Sequence, residues 1–164
     1  MAPVLTFAMT AAITPGPNNI ILSTNAVNYG FKETIPLMMG VFFGFLSILT
    51  LCLLGIGELY QSFPAIAAIV KTVATCFLVY LSFRIFFSSS FSDGGSSKKF
   101  SFMDIYFFQI INPKAVTVSM SSSAIFIQNK FSYQIEFLLI FICFVISTST
   151  SAIAWAAIGH SFRK

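Results

Sequence analysis

The 164 residues suffice for one domain, and their composition is typical of an integral membrane protein. Hydrophobic residues make up 57% of the chain and charged residues only 9%, whereas a soluble domain carries about 25% charged residues. The net charge is +4, and because no basic cluster exceeds two residues we expect no nucleic-acid partner. The three cysteines lie in apolar segments, and their odd number argues against a disulfide framework.

Five stretches are apolar and long enough to cross a bilayer, which takes about 20 residues. They cover residues 3–27, 34–57, 63–87, 102–126 and 133–158. The sequence therefore predicts an all-α integral membrane protein with five transmembrane helices embedded in a lipid bilayer.

One long polar segment, residues 88–101, divides the chain into two parts. It is rich in serine and glycine, which is typical of a flexible linker. We therefore expect a first repeat of three helices in residues 1–87 and an incomplete second repeat of two helices in residues 102–164.

The basic residues predict the direction in which the helices cross the membrane. If the spans alternate, six basic residues fall on one side and only Lys130 falls on the other. The six are Lys32, Arg84, Lys98, Lys99, Arg163 and Lys164. Because short cytoplasmic loops carry an excess of Lys and Arg, we expect the N-terminus outside and the linker and C-terminus in the cytoplasm.

The first span contains Pro15, Gly16 and Pro17 near its middle. Each proline removes a backbone donor and clashes with the preceding turn, so an ordinary helix cannot continue through this segment. Within a membrane, irregular backbone is tolerated only where it is buried in protein or lines a watery cavity. The segment therefore predicts a helix break that has a purpose.

The fourth span carries a similar interruption at Asn112, Pro113 and Lys114. Proline-interrupted segments at corresponding places in two halves predict a transporter built from repeats, with its binding site at the breaks. Aligning Pro15 with Pro113 gives an offset of 98 residues (113 − 15), which pairs the second span with the fifth. Because three spans per half invert the second half, the pattern predicts a three-plus-three inverted repeat whose sixth helix is missing.

Lys114 lies twelve residues from either end of the fourth span, near the expected bilayer midplane. A lysine there costs at least ~2.5–3.5 kcal/mol and usually faces a bundle interior or a pathway. We expect it to hold a substrate carboxylate or to take part in proton coupling. Alternatively, it snorkels or satisfies the carbonyls freed by Pro113.

Asn18 and Asn19 follow the first break, where the restarting helix presents free N–H groups and its positive dipole end. Such an end is a ready site for an anion such as a carboxylate. Alternatively, the two amides only cap the helix. The hydroxyl of Thr14 could join the site or bond back to its own helix.

Other polar residues in the spans have more ordinary interpretations. Lys71 lines the outer half of a pathway or snorkels outward, and we expect Asp104 and Glu136 to be interfacial. Gly40 and Gly44 form a GxxxG motif, which permits close helix packing within the chain or in a homo-oligomer.

Catalytic and metal-binding patterns are missing from the sequence. His160 is the only histidine, and no Cys, Asp or second His lies at ligand spacing from it. The sequence has no nucleophile–base arrangement, HExxH motif or Gly-rich nucleotide loop. We therefore predict no enzyme activity, no catalytic residue, no metal and no cofactor.

At these residues the chain resembles the lysine exporter (LysE-type) family of bacterial amino-acid exporters. The resemblance rests on TPGPNN at residues 14–19 and NPKA at residues 112–115 and covers almost the whole chain. Within the family, the chain looks most like the branch that exports cysteine and O-acetylserine or homoserine-type amino acids. The resemblance implies a six-helix exporter of the bacterial inner membrane, driven by an ion gradient, although the family's sixth span is missing from this sequence.

We therefore expect a secondary transporter that exports a small amino acid or derivative, with a proton as the coupling ion. The expected substrate-binding residues are Thr14, Asn18, Asn19, Asn112 and Lys114, with helix breaks at Pro15, Gly16, Pro17 and Pro113. The alternative is a truncated, non-transporting membrane subunit or a degenerate copy.

Overall fold

A computed structural model describes residues 1–56, 100–128 and 130–163, together with positions 65, 69, 72, 76 and 79. All regular structure in these residues is helical, which confirms the all-α class. Lys71, most of the third predicted span and most of the predicted linker lie outside the described residues. The five-helix inverted repeat therefore stays a prediction.

Six α-helices are described in chain order. They are α1 (Ala2–Ile13), α2 (Pro17–Tyr29), α3 (Phe31–Leu51), α4 (Phe102–Ile111), α5 (Pro113–Phe126) and α6 (Tyr133–Ser161), and the segment Cys52–Ile56 continues α3 to a kink at Gly55, whose φ is 95°. Within the described part of the chain, two helical stretches are long and apolar enough to cross a membrane, namely Phe31–Gly55, which includes α3, and α6. The first and fourth predicted spans each consist of two shorter helices in succession.

The prolines explain where the first and fourth predicted spans each divide into two helices. The residues before Pro15, Pro17 and Pro113 all have extended backbone, with ψ angles of 129°, 176° and 110°, because a following proline disfavours the helical conformation. Pro17 and Pro113 then stand at the first position of α2 and α5. A proline suits that position because its missing N–H would have no helical partner.

Helix α6 contacts α1, α2 and α3, and α3 also packs against α4. Two apolar clusters lie between these helices. One joins α1, α3, α5 and α6, and the other joins α2, α3, α4 and α6. Ala8 of α1 and Ile21 of α2 place one cluster before and the other after the first helix break, whereas Thr14 and Pro15 in the break itself are exposed.

The Gly40 and Gly44 motif serves an internal interface. A Cβ at Gly44 would lie 2.6 Å from Cγ of Gln109 and 2.8 Å from the carbonyl oxygen of Tyr106. A Cβ at Gly40 would lie 2.7 Å from the carbonyl oxygen of Phe102. The two glycines therefore let α3 and α4 approach closely, which is the first of the two roles that the sequence left open.

Glu136, which we expect to be interfacial, is buried within the protein, and its depth in the membrane stays a prediction. Its carboxylate accepts hydrogen bonds from the backbone N–H groups of Gln128, Lys130 and Phe131 at 2.9, 2.9 and 3.2 Å. Buried backbone donors in a connection need such a partner. Glu136 therefore fixes the turn between α5 and α6, whereas Asp104 is exposed and forms a capping box with Ser101 at the start of α4.

Candidate functional site

The carbonyl groups at the end of α1 are hydrogen-bonded by side chains from other helices. Ala12 accepts from Asn19 Nδ2 at 3.0 Å and from Ser151 Oγ at 2.7 Å. Thr14 accepts from the same Asn19 nitrogen at 3.0 Å and from Lys114 Nζ at 2.5 Å. The last carbonyls of a helix lack intrahelical partners, and here side chains of α2, α5 and α6 supply the missing hydrogen-bond donors.

A chain of three side-chain amides joins the two breaks. Asn112 Oδ1 accepts from the backbone N–H of Lys114 at 3.1 Å and so caps α5. Asn112 Nδ2 donates to Asn18 Oδ1 at 3.2 Å, and Asn18 Nδ2 donates to Gln109 Oε1 at 3.1 Å. The cap fixes the orientation of the Asn112 amide, because only an oxygen can accept from the N–H group. That orientation then determines how Asn18 and Gln109 are turned.

The Lys114 side chain lies against Gly16. A Cβ on Gly16 would stand 3.1 Å from both Cδ and Nζ of Lys114. The absence of a side chain at Gly16 therefore leaves room for the lysine side chain. Lys114 reaches a carbonyl freed by the first break, namely that of Thr14, rather than one freed by Pro113. The ammonium group thus stands between the end of α1 and the start of α2.

A cavity of about 60 Å³ lies beside this ammonium group. A water molecule needs roughly 10–15 Å³ by this measure, so the cavity has room for a few waters or a small polar molecule. Its polar wall includes Asn18, Asn19 and Lys114. The remaining wall is largely apolar, with two hydroxyl groups, and it includes Val41, Phe45, Ala115, Val118, Phe144, Thr148, Ser151 and Ala152. A mostly apolar cavity with a few convergent polar groups is typical of a small-molecule site.

The structure places the predicted site residues in three groups. Asn18, Asn19 and Lys114 line the cavity together. Asn112 is 1% exposed and does not line the cavity, but it is hydrogen-bonded to Asn18 and to the backbone of Lys114, which do. The Thr14 hydroxyl donates back to the carbonyl of its own helix at 2.5 Å, so Thr14 offers its backbone oxygen and not its hydroxyl.

Sequence reasoning missed Gln109, Thr148 and Ser151 as site residues. Gln109 is completely buried, and its Nε2 has no hydrogen-bond partner among the described residues. It is a polar residue within an otherwise apolar stretch of the fourth span, so the sequence did contain a signal. The contact of Ser151 with Ala12 spans 139 residues, and no local pattern predicts it.

The starts of α2 and α5 revise the alignment of the two breaks. Pro17 and Pro113 occupy the same first helical position, which gives an offset of 96 residues (113 − 17) instead of 98. On this alignment Asn18 corresponds to Lys114. The two side chains that follow the prolines therefore face one cavity.

Comparison with known proteins agrees with the resemblance found in the sequence. A family model described as LysE type translocator matches residues 9–163. A cysteine/O-acetylserine efflux protein of Shigella flexneri is 26% identical over 100% of this chain and 87% of its own length. The protein of the same description from Escherichia coli K12 is 26% identical over 97% of this chain and 82% of its own length.

No solved structure matches the chain. The similarities identify a membrane translocator and not an enzyme, as the sequence predicted. Because the family model covers nearly all of the sequence, the chain belongs to the LysE-type translocator family.

Proposed function

We propose that the protein is a secondary transporter that exports a small amino acid or a close derivative across the bacterial inner membrane. An ion gradient drives the export, with a proton as the coupling ion. The relatives' printed names make cysteine and O-acetylserine the first substrates to test.

One observation carries the proposal: the Lys114 ammonium and the first turn of α2 border the same cavity. The N-cap of α2 is Gly16, which has no side chain to satisfy the N–H groups of that turn. Free N–H groups and the positive end of the helix dipole attract an anion. A substrate carboxylate binds there, between Lys114 and the start of α2.

The rest of the cavity suits the body of a small amino acid. Val41, Phe45 and Phe144 supply apolar surface, and Thr148 and Ser151 supply hydroxyl groups. The volume of about 60 Å³ favours a small side chain over a large one. Rocking of the two halves about this site gives alternating access, and the amide pair of Asn18 and Asn112 joins the halves during the motion.

We propose further that the N-terminus lies outside and the C-terminus in the cytoplasm. The Arg163 guanidinium, just beyond the end of α6, lies against Gly30 at the start of α3, two residues before Lys32, so two basic residues lie at this end of the bundle. Lys130 stands in the turn between α5 and α6. The excess of positive charge marks the cytoplasmic end.

The test is counterflow of radiolabelled amino acids into proteoliposomes that contain only this chain, with cysteine and O-acetylserine first. We expect saturable uptake that Lys114→Ala abolishes, because the substrate carboxylate loses its cation. Lys130→Ala is the matched control, since this exposed lysine lies in a turn. Uptake that survives Lys114→Ala refutes the site, and absence of uptake for every amino acid favours a non-transporting subunit.

A further inference from the structure

The end of α1 already holds an alkylammonium group. Thr14 directly follows the last residue of α1, and its carbonyl oxygen accepts a hydrogen bond from Lys114 Nζ at 2.5 Å. The same lysine borders the cavity, and so do Ala11 and Ala12 of α1. The α-ammonium of an amino acid is chemically the same kind of group as the end of a lysine side chain. The lysine contact therefore shows which ligand group this helix end accepts.

We propose that the carbonyl oxygens at the end of α1, chiefly that of Thr14, bind the α-ammonium of the exported amino acid in exchange for Lys114. The displaced Lys114 ammonium then binds the substrate carboxylate. This inference rests on the proposed function and adds the feature that selects zwitterionic amino acids over simple carboxylic acids.

The hydrogen-bonding capacity of Thr14 fits such an exchange. A carbonyl oxygen has two lone pairs, and those of Thr14 are used by Asn19 Nδ2 and Lys114 Nζ. When the lysine leaves, one acceptor position opens on the Thr14 carbonyl, which does not line the cavity itself but lies two residues before Gly16 of the cavity wall. Asn19 remains as a bridge between the carbonyls of Ala12 and Thr14 and keeps them in place.

The charges of the broken helix have the right order for a zwitterion. The C-terminal end of α1 carries partial negative charge, and the N-terminal end of α2 carries partial positive charge. Only Thr14, Pro15 and Gly16 separate the two helices. The α-ammonium binds at the end of α1 while the carboxylate binds at the start of α2, and the lysine moves across Gly16, where no side chain obstructs it.

A simple carboxylic acid can satisfy only half of this site. It leaves Lys114 bound to Thr14, or it removes the lysine and leaves the Thr14 carbonyl oxygen with the Asn19 amide as its donor but no ammonium group. A hydrogen bond to a charged group contributes enough for a preference of at least about tenfold. The site therefore favours the amino acid over its deaminated analogue.

The test measures inhibition of radiolabelled cysteine counterflow in proteoliposomes of the full chain. The competitors are unlabelled cysteine and 3-mercaptopropionate, which keeps the thiol and the carboxylate but lacks the α-ammonium. We expect 3-mercaptopropionate to need at least about tenfold higher concentration for half-inhibition. Equal inhibition by the two compounds overturns the inference and leaves the proposed function standing. Absence of cysteine counterflow overturns the proposed function for cysteine, and the inference with it.

A variant then tests whether the end of α1 is the source of this preference. Asn19→Ala frees the Ala12 and Thr14 carbonyls from their bridge, and we expect the preference to shrink toward equality. Ser147→Ala is the control, because among the described residues this buried hydroxyl bonds only within α6, to the carbonyl of Cys143. A preference that Asn19→Ala leaves unchanged overturns the assignment. The preference is the ratio of the two half-inhibition concentrations, so it does not depend on the yield of folded protein. If Asn19→Ala fails to fold, the comparison of cysteine with 3-mercaptopropionate on the wild-type protein decides whether the inference stands.

Discussion

Gly44→Ala tests the packing that connects the fold to the site. The added Cβ would lie 2.6 Å from Cγ of Gln109 and 2.8 Å from the carbonyl oxygen of Tyr106. Ordinary contacts lie at about 3.5–4.0 Å, so α4 must retreat by roughly 0.7–1.4 Å at this level. Because Gln109 moves with α4, such a retreat disturbs its hydrogen bond of 3.1 Å with Asn18.

Two effects of opposite sign decide the magnitude. Alanine is better than glycine in a helix by about 1 kcal/mol, whereas overpacking a close interface costs about 1–3 kcal/mol. The weakened hydrogen bond between Asn18 and Gln109 adds about 1 kcal/mol to the cost. We therefore expect Gly44→Ala to lower the free energy of unfolding by about 1–3 kcal/mol and to raise the KM for cysteine counterflow.

The assay is thermal loss of helicity in detergent, followed by circular dichroism, together with counterflow. Met39→Ala is the control on the same helix, because Met39 is exposed and its substitution should change stability by no more than about 0.5 kcal/mol. A Gly44→Ala protein as stable as the wild type, or more stable, would refute the close contact of α3 with α4. Helix propensity would then be the dominant effect.

Three further predictions concern the connections, the orientation and the cap. Glu136→Ala should lower the free energy of unfolding by about 1–3 kcal/mol, because three backbone N–H groups lose their acceptor. Asp104→Ala, at an exposed cap, should show a smaller loss of about 1 kcal/mol in thermal unfolding. Equal losses for the two variants would contradict the role of Glu136. Lys130→Cys should react with an impermeant maleimide in intact cells, and Arg163→Cys only after permeabilisation; the opposite pattern would reverse the orientation. Asn112→Ser should keep most of the α5 cap, whereas Asn112→Ala should lose a further ~1 kcal/mol in the same thermal assay, and identical losses would show that the cap contributes nothing.

The sequence predicted the features that depend on local chemistry. Proline at 15, 17 and 113 restricts the preceding backbone wherever it occurs, and the helices do divide at these places. The apolar character of the spans predicted an all-α membrane protein, and the motifs predicted the family. Lys114 was a strong candidate because an ionisable residue in an apolar span needs a polar partner.

The features that the sequence did not predict depend on contacts between distant segments. The Thr14 carbonyl meets Lys114 across 100 residues, and Ser151 meets Ala12 across 139 residues. Nothing local indicates that the Thr14 hydroxyl turns back to its own helix while the carbonyl faces the lysine. The sequence likewise does not indicate that the Glu136 carboxylate accepts hydrogen bonds from the backbone N–H groups of Lys130 and Phe131.

The central claim is that the two breaks form one site, and a double-mutant cycle tests it most directly. Asn18→Ala, Asn112→Ala and the double variant are compared by the KM for cysteine counterflow. Because the two side chains share a hydrogen bond of 3.2 Å, we predict that the effects are not additive and differ from their sum by about 0.5–3 kcal/mol. Additive effects would contradict the account, since each break would then act on the substrate independently.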